Sequence, residues 1–136
     1  MKTFDELVNE ADTGKKSVIR AVQAWQYLIA KATNRQLVRY DELADLMGYP
    51  DNRPLSHILG LIMWYCAQNK LAPLTGIVVS KDGTPGPGFT EVSRDDLDRQ
   101  REKVFSTEWF SISPPSIEQY ESAYQTSKDL AHHSAT

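Results

Sequence analysis

Leu37-Val38-Arg39-Tyr40-Asp41-Glu42-Leu43-Ala44-Asp45-Leu46-Met47-Gly48, with the turn and apolar run that follow it, decides the fold. Gln36 to Tyr40 is short and partly β-like. Asp41–Met47 reads as a brief helix with Leu43, Ala44 and Met47 inward and Gly48 as its left-handed end. Tyr49-Pro50-Asp51-Asn52-Arg53-Pro54 is a turn by composition. Pro54 suits the first position of a third helix running to about Asn69. There Leu55, Ile58, Leu59, Ile62, Tyr65, Cys66 and Asn69 recur at helical spacing. Gly60 lies inside this helix at a cost of ~1 kcal/mol relative to alanine, and close packing against a neighbouring helix is the expected reason. A short helix, a turn and a longer helix form a helix-turn-helix pattern.

Upstream, Ser17–Thr33 forms the first strong helix, with Asn34 as its stop. Val18, Ala21, Val22, Trp25, Leu28, Ile29 and Ala32 share one face; Lys16, Arg20, Gln23, Tyr27, Lys31 and Arg35 share the other. Phe4, Leu7, Val8 and Ala11 give the preceding leader a weak helical pattern. Downstream, Thr75–Ser80 is expected as a strand around Ile77-Val78-Val79. Lys81-Asp82-Gly83 is a tight-turn signal, and Thr84 to Phe89 is a shaped loop rich in Gly and Pro. Its two prolines remove backbone donors, so it is a poor phosphate cradle. Ser93 caps a fourth helix to about Phe105, with Asp95, Asp96 and Asp98 in its first turn, where the helix dipole explains them. Ser116-Ile117-Glu118-Gln119 is a capping box opening a last helix to about Leu130. The expected organisation is a leader (1–16), a winged-helix-like domain (17–92), a helical extension packed on it (93–131) and a loose tail (132–136).

The chain has 136 residues with 15 basic and 18 acidic side chains, a net charge of −3. That excludes a protein that is basic all over. The charge is uneven, however. Thr13 to Tyr40 holds six basic residues (Lys15, Lys16, Arg20, Lys31, Arg35, Arg39) and no acid, while the other nine share the rest of the chain with all eighteen acids. Such a segment reads either as a solvated helix face or as a contact surface for something negative. No apolar run approaches the roughly 20 residues that span a bilayer. The first residues carry acids and lack an apolar stretch, so they are not expected to act as a signal peptide. A single cysteine allows no internal disulfide, so a cytoplasmic setting is expected. His57 is distant from His132 and His133, so no metal site or cofactor is expected. No Ser–His–Asp spacing or nuclease-like constellation is present.

The words of the sequence are more specific than its layout. Val38-Arg39-Tyr40-Asp41-Glu42-Leu43-Ala44 with Gly48 resembles the V-x-Y-x-E-L-A-x-x-x-G stretch of alkylguanine-DNA alkyltransferases and alkyltransferase-like proteins. Ser56 to Met63 occupies the place of their recognition helix, with its A-R-A-V-G-x-A-M pattern. Val78-Val79-Ser80-Lys81-Asp82-Gly83 to Phe89 looks like their V-V-x-x-D-G-x-x-G-G-Y/F wing. The similarity covers about Ser17–Phe89. It implies a mainly α fold with a small β wing: a winged helix-turn-helix-like core plus C-terminal helices. The family's nucleophile sits in a Pro-Cys-His-Arg tetrad, and here that stretch is Leu74-Thr75-Gly76-Ile77. Alkyl transfer needs a thiolate acceptor. Cys66, on the inward stripe of the third helix, reads as core. The chain is therefore expected not to be an enzyme.

In the resembling family the tyrosine of the first motif lies near a phosphate of the target nucleotide, and a recognition-helix arginine enters the base stack. Tyr40 matches the first position; its plain alternative is a packing residue. His57 stands where that arginine is usual, and histidine carries only part of a charge at neutral pH, so base flipping is in doubt. Arg53 and Lys81 are natural phosphate contacts in a winged helix or ordinary solvated charges. With Lys16, Arg20, Lys31, Arg35 and Arg39 they make up the expected nucleic-acid surface, and double-stranded DNA is the expected partner. The third helix has few polar groups for base readout, and its girth is completed by Leu61, Met63, Trp64 and Tyr65. Such a helix is either enclosed by the C-terminal elements or binds protein. The alternative is thus a protein-interaction module, homodimer or accessory subunit of a bacterial complex.

Overall fold

A computed structural model describes residues 15–81 and 94–134. Five α-helices and one two-stranded sheet occur among them: α1 (Lys15–Thr33), β1 (Val38–Arg39), α2 (Tyr40–Leu46), α3 (Leu55–Gln68), β2 (Val78–Val79), α4 (Arg94–Ser106) and α5 (Ile117–Ser134). Short 3₁₀ turns at Leu74–Ile77 and Trp109–Ser111 complete the set. The expected leader pattern, most of the turn and loop expected from Lys81 to Phe89, the expected Ser93 cap and the last two residues lie outside the described residues.

α3 is the hub. It packs on α1 on one side and on α5 on the other. The apolar stripe of α1 supplies Val18, Ala21, Trp25, Leu28 and Ala32, all buried, against Leu55, Ile58, Leu59, Ile62, Tyr65 and Cys66 of α3. Trp25 stands at the centre, edge-on to Tyr65 (5.9 Å between ring centres) and to Trp109 (5.5 Å); Tyr65 in turn lies 5.5 Å from Tyr120 of α5. Rings buried to this extent each contribute about 2–3 kcal/mol through area removed from water. Leu61, expected on the outer girth, is buried as well. The apolar third helix is thus enclosed by its own C-terminal neighbour, with Trp64 left partly outside.

Helix ends follow one device three times. At Arg35, Gly48 and Lys70 the backbone turns left-handed (φ 57°, 76° and 55°). The following amide reaches back to the carbonyl five residues earlier: Gln36 to Lys31, Tyr49 to Ala44 and Leu71 to Cys66, at 2.9–3.0 Å. Each is a Schellman closure. Gly48 was expected in this role; the other two positions use arginine and lysine, and α1 ends at Thr33, before the expected stop Asn34, with the left-handed residue one position further on at Arg35. The capping box opening α5 is present, with Gln119 N donating to Ser116 Oγ (3.1 Å) and Ser116 N to Gln119 Oε1 (2.8 Å).

Several expectations are corrected. α1 begins at Lys15, inside the expected leader. Pro54 precedes α3 as its cap residue instead of opening its first turn. The expected strand over 75–80 shrinks to two residues because Leu74–Ile77 winds as a 3₁₀ turn; Gly76 N donates to Pro73 O at 2.8 Å. β2 pairs with β1 in parallel, Val38 with Val78 and Arg39 with Val79. Gly60 has no close neighbour: a methyl group built there meets nothing within 4 Å. Its expected packing reason is absent. α5 continues to Ser134, so residues 132–134, expected as a loose tail, are helical. Among the described residues, no helix is long and apolar enough to cross a membrane.

Candidate functional site

The basic stripe of α1 faces α2 and α4, and the acids missing from its own segment come from there. Glu42 on α2 is the main acceptor. Its Oε2 accepts a hydrogen bond from the Tyr27 hydroxyl and lies 3.6 Å from Lys31 Nζ, while its Oε1 accepts from the Arg39 amide at 3.4 Å. The Tyr27 hydrogen bond, aided by the Arg39 amide and Lys31 against partial burial, holds the Glu42 carboxyl below its usual range. Burial first, then Glu42, pushes the Tyr27 phenol up. Arg20 donates to Gln23 at 2.9 Å and lies over the Tyr49 ring, 5.7 Å from its centre. Arg35 pairs with Glu102 of α4 and lies 5.2 Å from the centre of the Phe105 ring.

Arg39 and Arg53 are held by closer acids. Arg39 pairs with Asp41 at 2.9 Å. Arg53 closes on Asp51 through its amide (2.9 Å), Nε (3.1 Å) and Nη2 (2.7 Å), which holds the Asp51 carboxyl down at about 2. Lys16, His57 and Lys81 have no carboxylate within 4 Å among the described residues. His57 meets Tyr124 of α5 edge-on at 5.4 Å.

The fold brings four of the expected or neighbouring polar groups together. Tyr40 at the start of α2, Asn52 in the turn, and Ser80 and Lys81 just after β2 line one open depression of about 380 Å³, with Asp41 at its side. The parallel pairing of β1 and β2 is what sets Tyr40 beside Ser80. Burial pushes the Tyr40 phenol up, so it is neutral at physiological pH and available as a donor. The exposed start of α3, with Ser56 and His57, follows directly from Arg53, and Leu55–Gln68 contains no acid. An adjoining depression of about 480 Å³ is lined by Asp41, Glu42, Asp45 and Asp51 with Arg39. Lys16, Lys31 and Arg35 line neither depression. Asn52 and Ser80 were missed from sequence; their signal is only their place in a turn and after a strand.

Leu74–Ile77, where the resembling family carries its nucleophile, is buried, and Arg101 Nε of α4 donates to the Gly76 carbonyl at 3.0 Å. Cys66 is buried in α3, and burial pushes its thiol up to about 11, opposite to an activated nucleophile. Among the described residues, no three His, Cys, Asp or Glu side chains cluster as a metal would need.

No family model, curated protein or solved structure matches this chain. The functional reading rests on the geometry above.

Proposed function

We propose that this chain binds duplex DNA without catalysis, as a winged helix-turn-helix-like protein. Its contact surface is the Tyr40–Asn52–Ser80–Lys81 depression and the adjoining start of α3, with the arginines at its edge. The observation that carries this reading is the depression itself: the Tyr40 phenol, the Asn52 amide and the Lys81 ammonium line it, with the single carboxylate of Asp41, beside the start of α3, a helix without acids. The phenol, amide and ammonium are donors suited to phosphate oxygens. Lys81 and Tyr40 contact the backbone, Ser56 and His57 face the groove, and Arg39 and Arg53 add charge. Their ion pairs are exposed and therefore weak, so a polyanion can compete with the carboxylates. The cations of α1 have a smaller part, because Lys31 and Arg35 serve the seams to α2 and α4.

The test is a titration of labelled double- and single-stranded DNA at two salt concentrations. Binding is expected at low salt and should weaken steeply as salt rises. Lys81→Gln should weaken it across all sequences and reduce the salt slope by about 1, while Arg35→Gln should change it little. Absence of binding at low salt would overturn the proposal. The second reading, a protein-interaction module, is favoured by the exposed rings of Trp64 and Phe110 and by the compensation of four cations by acids. Sedimentation of the chain alone and with cell extract at several concentrations separates the two.

A further inference from the structure

A second surface lies where the end of α3 meets α4. Lys70, Leu71, Ala72 and Pro73 face Gln100 and Lys103 across an open depression of about 550 Å³. Two hydroxyls also line it, but both donate back into α4: Ser106 to the Glu102 carbonyl and Thr107 to that of Lys103. Its lining contains no carboxylate, unlike the two depressions around α2.

The acid-free lining separates this depression from the two around α2, and it holds two lysines. Lys31, Arg35, Arg39, Arg53 and Arg99 each have a carboxylate within 4 Å. Lys70 and Lys103 have none among the described residues, yet the fold brings them from separate elements to one depression. Both ammoniums line one depression, so an anion seated there is attracted by both. Lys70 is also held left-handed (φ 55°) at a helix end, where glycine is conformationally cheaper.

We propose that this depression binds an acidic peptide segment of a partner protein. Carboxylates of the segment meet Lys70 and Lys103, the Gln100 amide meets its backbone, and an apolar side chain rests on Leu71, Ala72 and Pro73. A phosphate fits the chemistry less well. The Lys70 and Leu71 amides are committed to the Ala67 and Cys66 carbonyls (3.4 and 2.9 Å), and Pro73 has no amide, so no nest of free N–H groups exists. No arginine lines the site to grip a phosphate with two parallel hydrogen bonds. Flexible point charges over an apolar floor suit dispersed carboxylates on an amphipathic chain.

The test is fluorescence anisotropy of a labelled peptide alternating pairs of glutamate with leucine, titrated with the full chain at low salt. Saturable binding is expected. Lys70→Gly, which suits the backbone angle and so keeps the fold, and Lys103→Gln should each weaken it several-fold, and together by about tenfold or more, while Lys16→Gln leaves it unchanged. Thermal melting of each variant confirms folding. No saturable binding, or an equal loss in Lys16→Gln, would sink the proposal. Displacement of the peptide by equimolar inorganic phosphate would assign the site to phosphate instead. Because Lys81 and Tyr40 lie outside this depression, Lys81→Gln should leave peptide binding intact. Loss of DNA binding in the Lys70→Gly, Lys103→Gln double variant would make the depression part of the DNA surface and overturn its assignment to peptide.

Discussion

Tyr120 is fully buried and its hydroxyl has no hydrogen-bond partner among the described residues. Burial, with Cys66 and Tyr65 nearby, pushes its phenol well above the ordinary range. The ring earns its place by packing on Tyr65, but the hydroxyl has lost its hydration without replacement. An orphaned polar group of this kind costs about 1–3 kcal/mol. Tyr120→Phe keeps the ring and removes the orphan, so we expect stability to rise by about 1 kcal/mol, read as a higher urea midpoint with unchanged slope. A fall in midpoint would mean that the hydroxyl is satisfied after all. Trp25 Nε1 and Thr75 Oγ1 share the same condition, which marks the centre of this core as tight in shape and incomplete in hydrogen bonding.

At the scale of elements, Gly60 is the informative position. It sits in the interior of α3 with open space where a side chain would be. Gly60→Ala should therefore stabilise α3 by about 0.5–1 kcal/mol through helix propensity, with a matching rise in melting temperature. A drop would show that the space is filled in the folded protein. The periodicities of α1 and α3 were legible because each buries one face, and three or four apolar residues per two turns leave little freedom. The segment Leu74–Val79 was not. It is buried on every side, so β-branched Thr75 and Ile77 gave no alternation to separate a strand from a tight turn, and the Arg101 contact to Gly76 comes from a distant helix. The far end of α5 was misjudged because His132 and His133 are polar, and polarity alone does not end a helix. The site was legible as single residues, Tyr40 and Lys81 among them. The acids that neutralise the basic stripe were not, since Glu102 lies 67 positions from Arg35 and sequence distance hides such pairs. A segment free of acids in the chain is thus not a surface free of acids in the fold.

The whole molecule's response to pH follows from its buried groups. The Cys66 thiol rises from 9.0 to about 11 on burial, and the Tyr120 phenol rises as well. For a group whose folded value is raised, the stability it contributes is fully present below the unfolded value and is lost as pH climbs through the folded one. Stability should therefore hold to about pH 9 and decline from there toward pH 11, measured as urea midpoints across that range. Cys66→Ala should flatten part of the decline, and an unchanged alkaline profile in that variant would contradict the burial argument.

The parallel pair of β1 and β2 has a kinetic consequence. It joins Val38 to Val78 and Arg39 to Val79, closing a loop that contains α2 and α3. Closing such a loop costs chain entropy that grows with the logarithm of its length, and two residues of ladder return too little to meet it early. The strands therefore zip after α2 and α3 have docked and drawn the loop ends together. Trimming Val78, which removes the core packing that seats β2, is expected to speed the opening of the native protein more than it slows folding. The depression between Tyr40 and Ser80 depends on that closure, so the proposed DNA surface is expected to assemble late in folding.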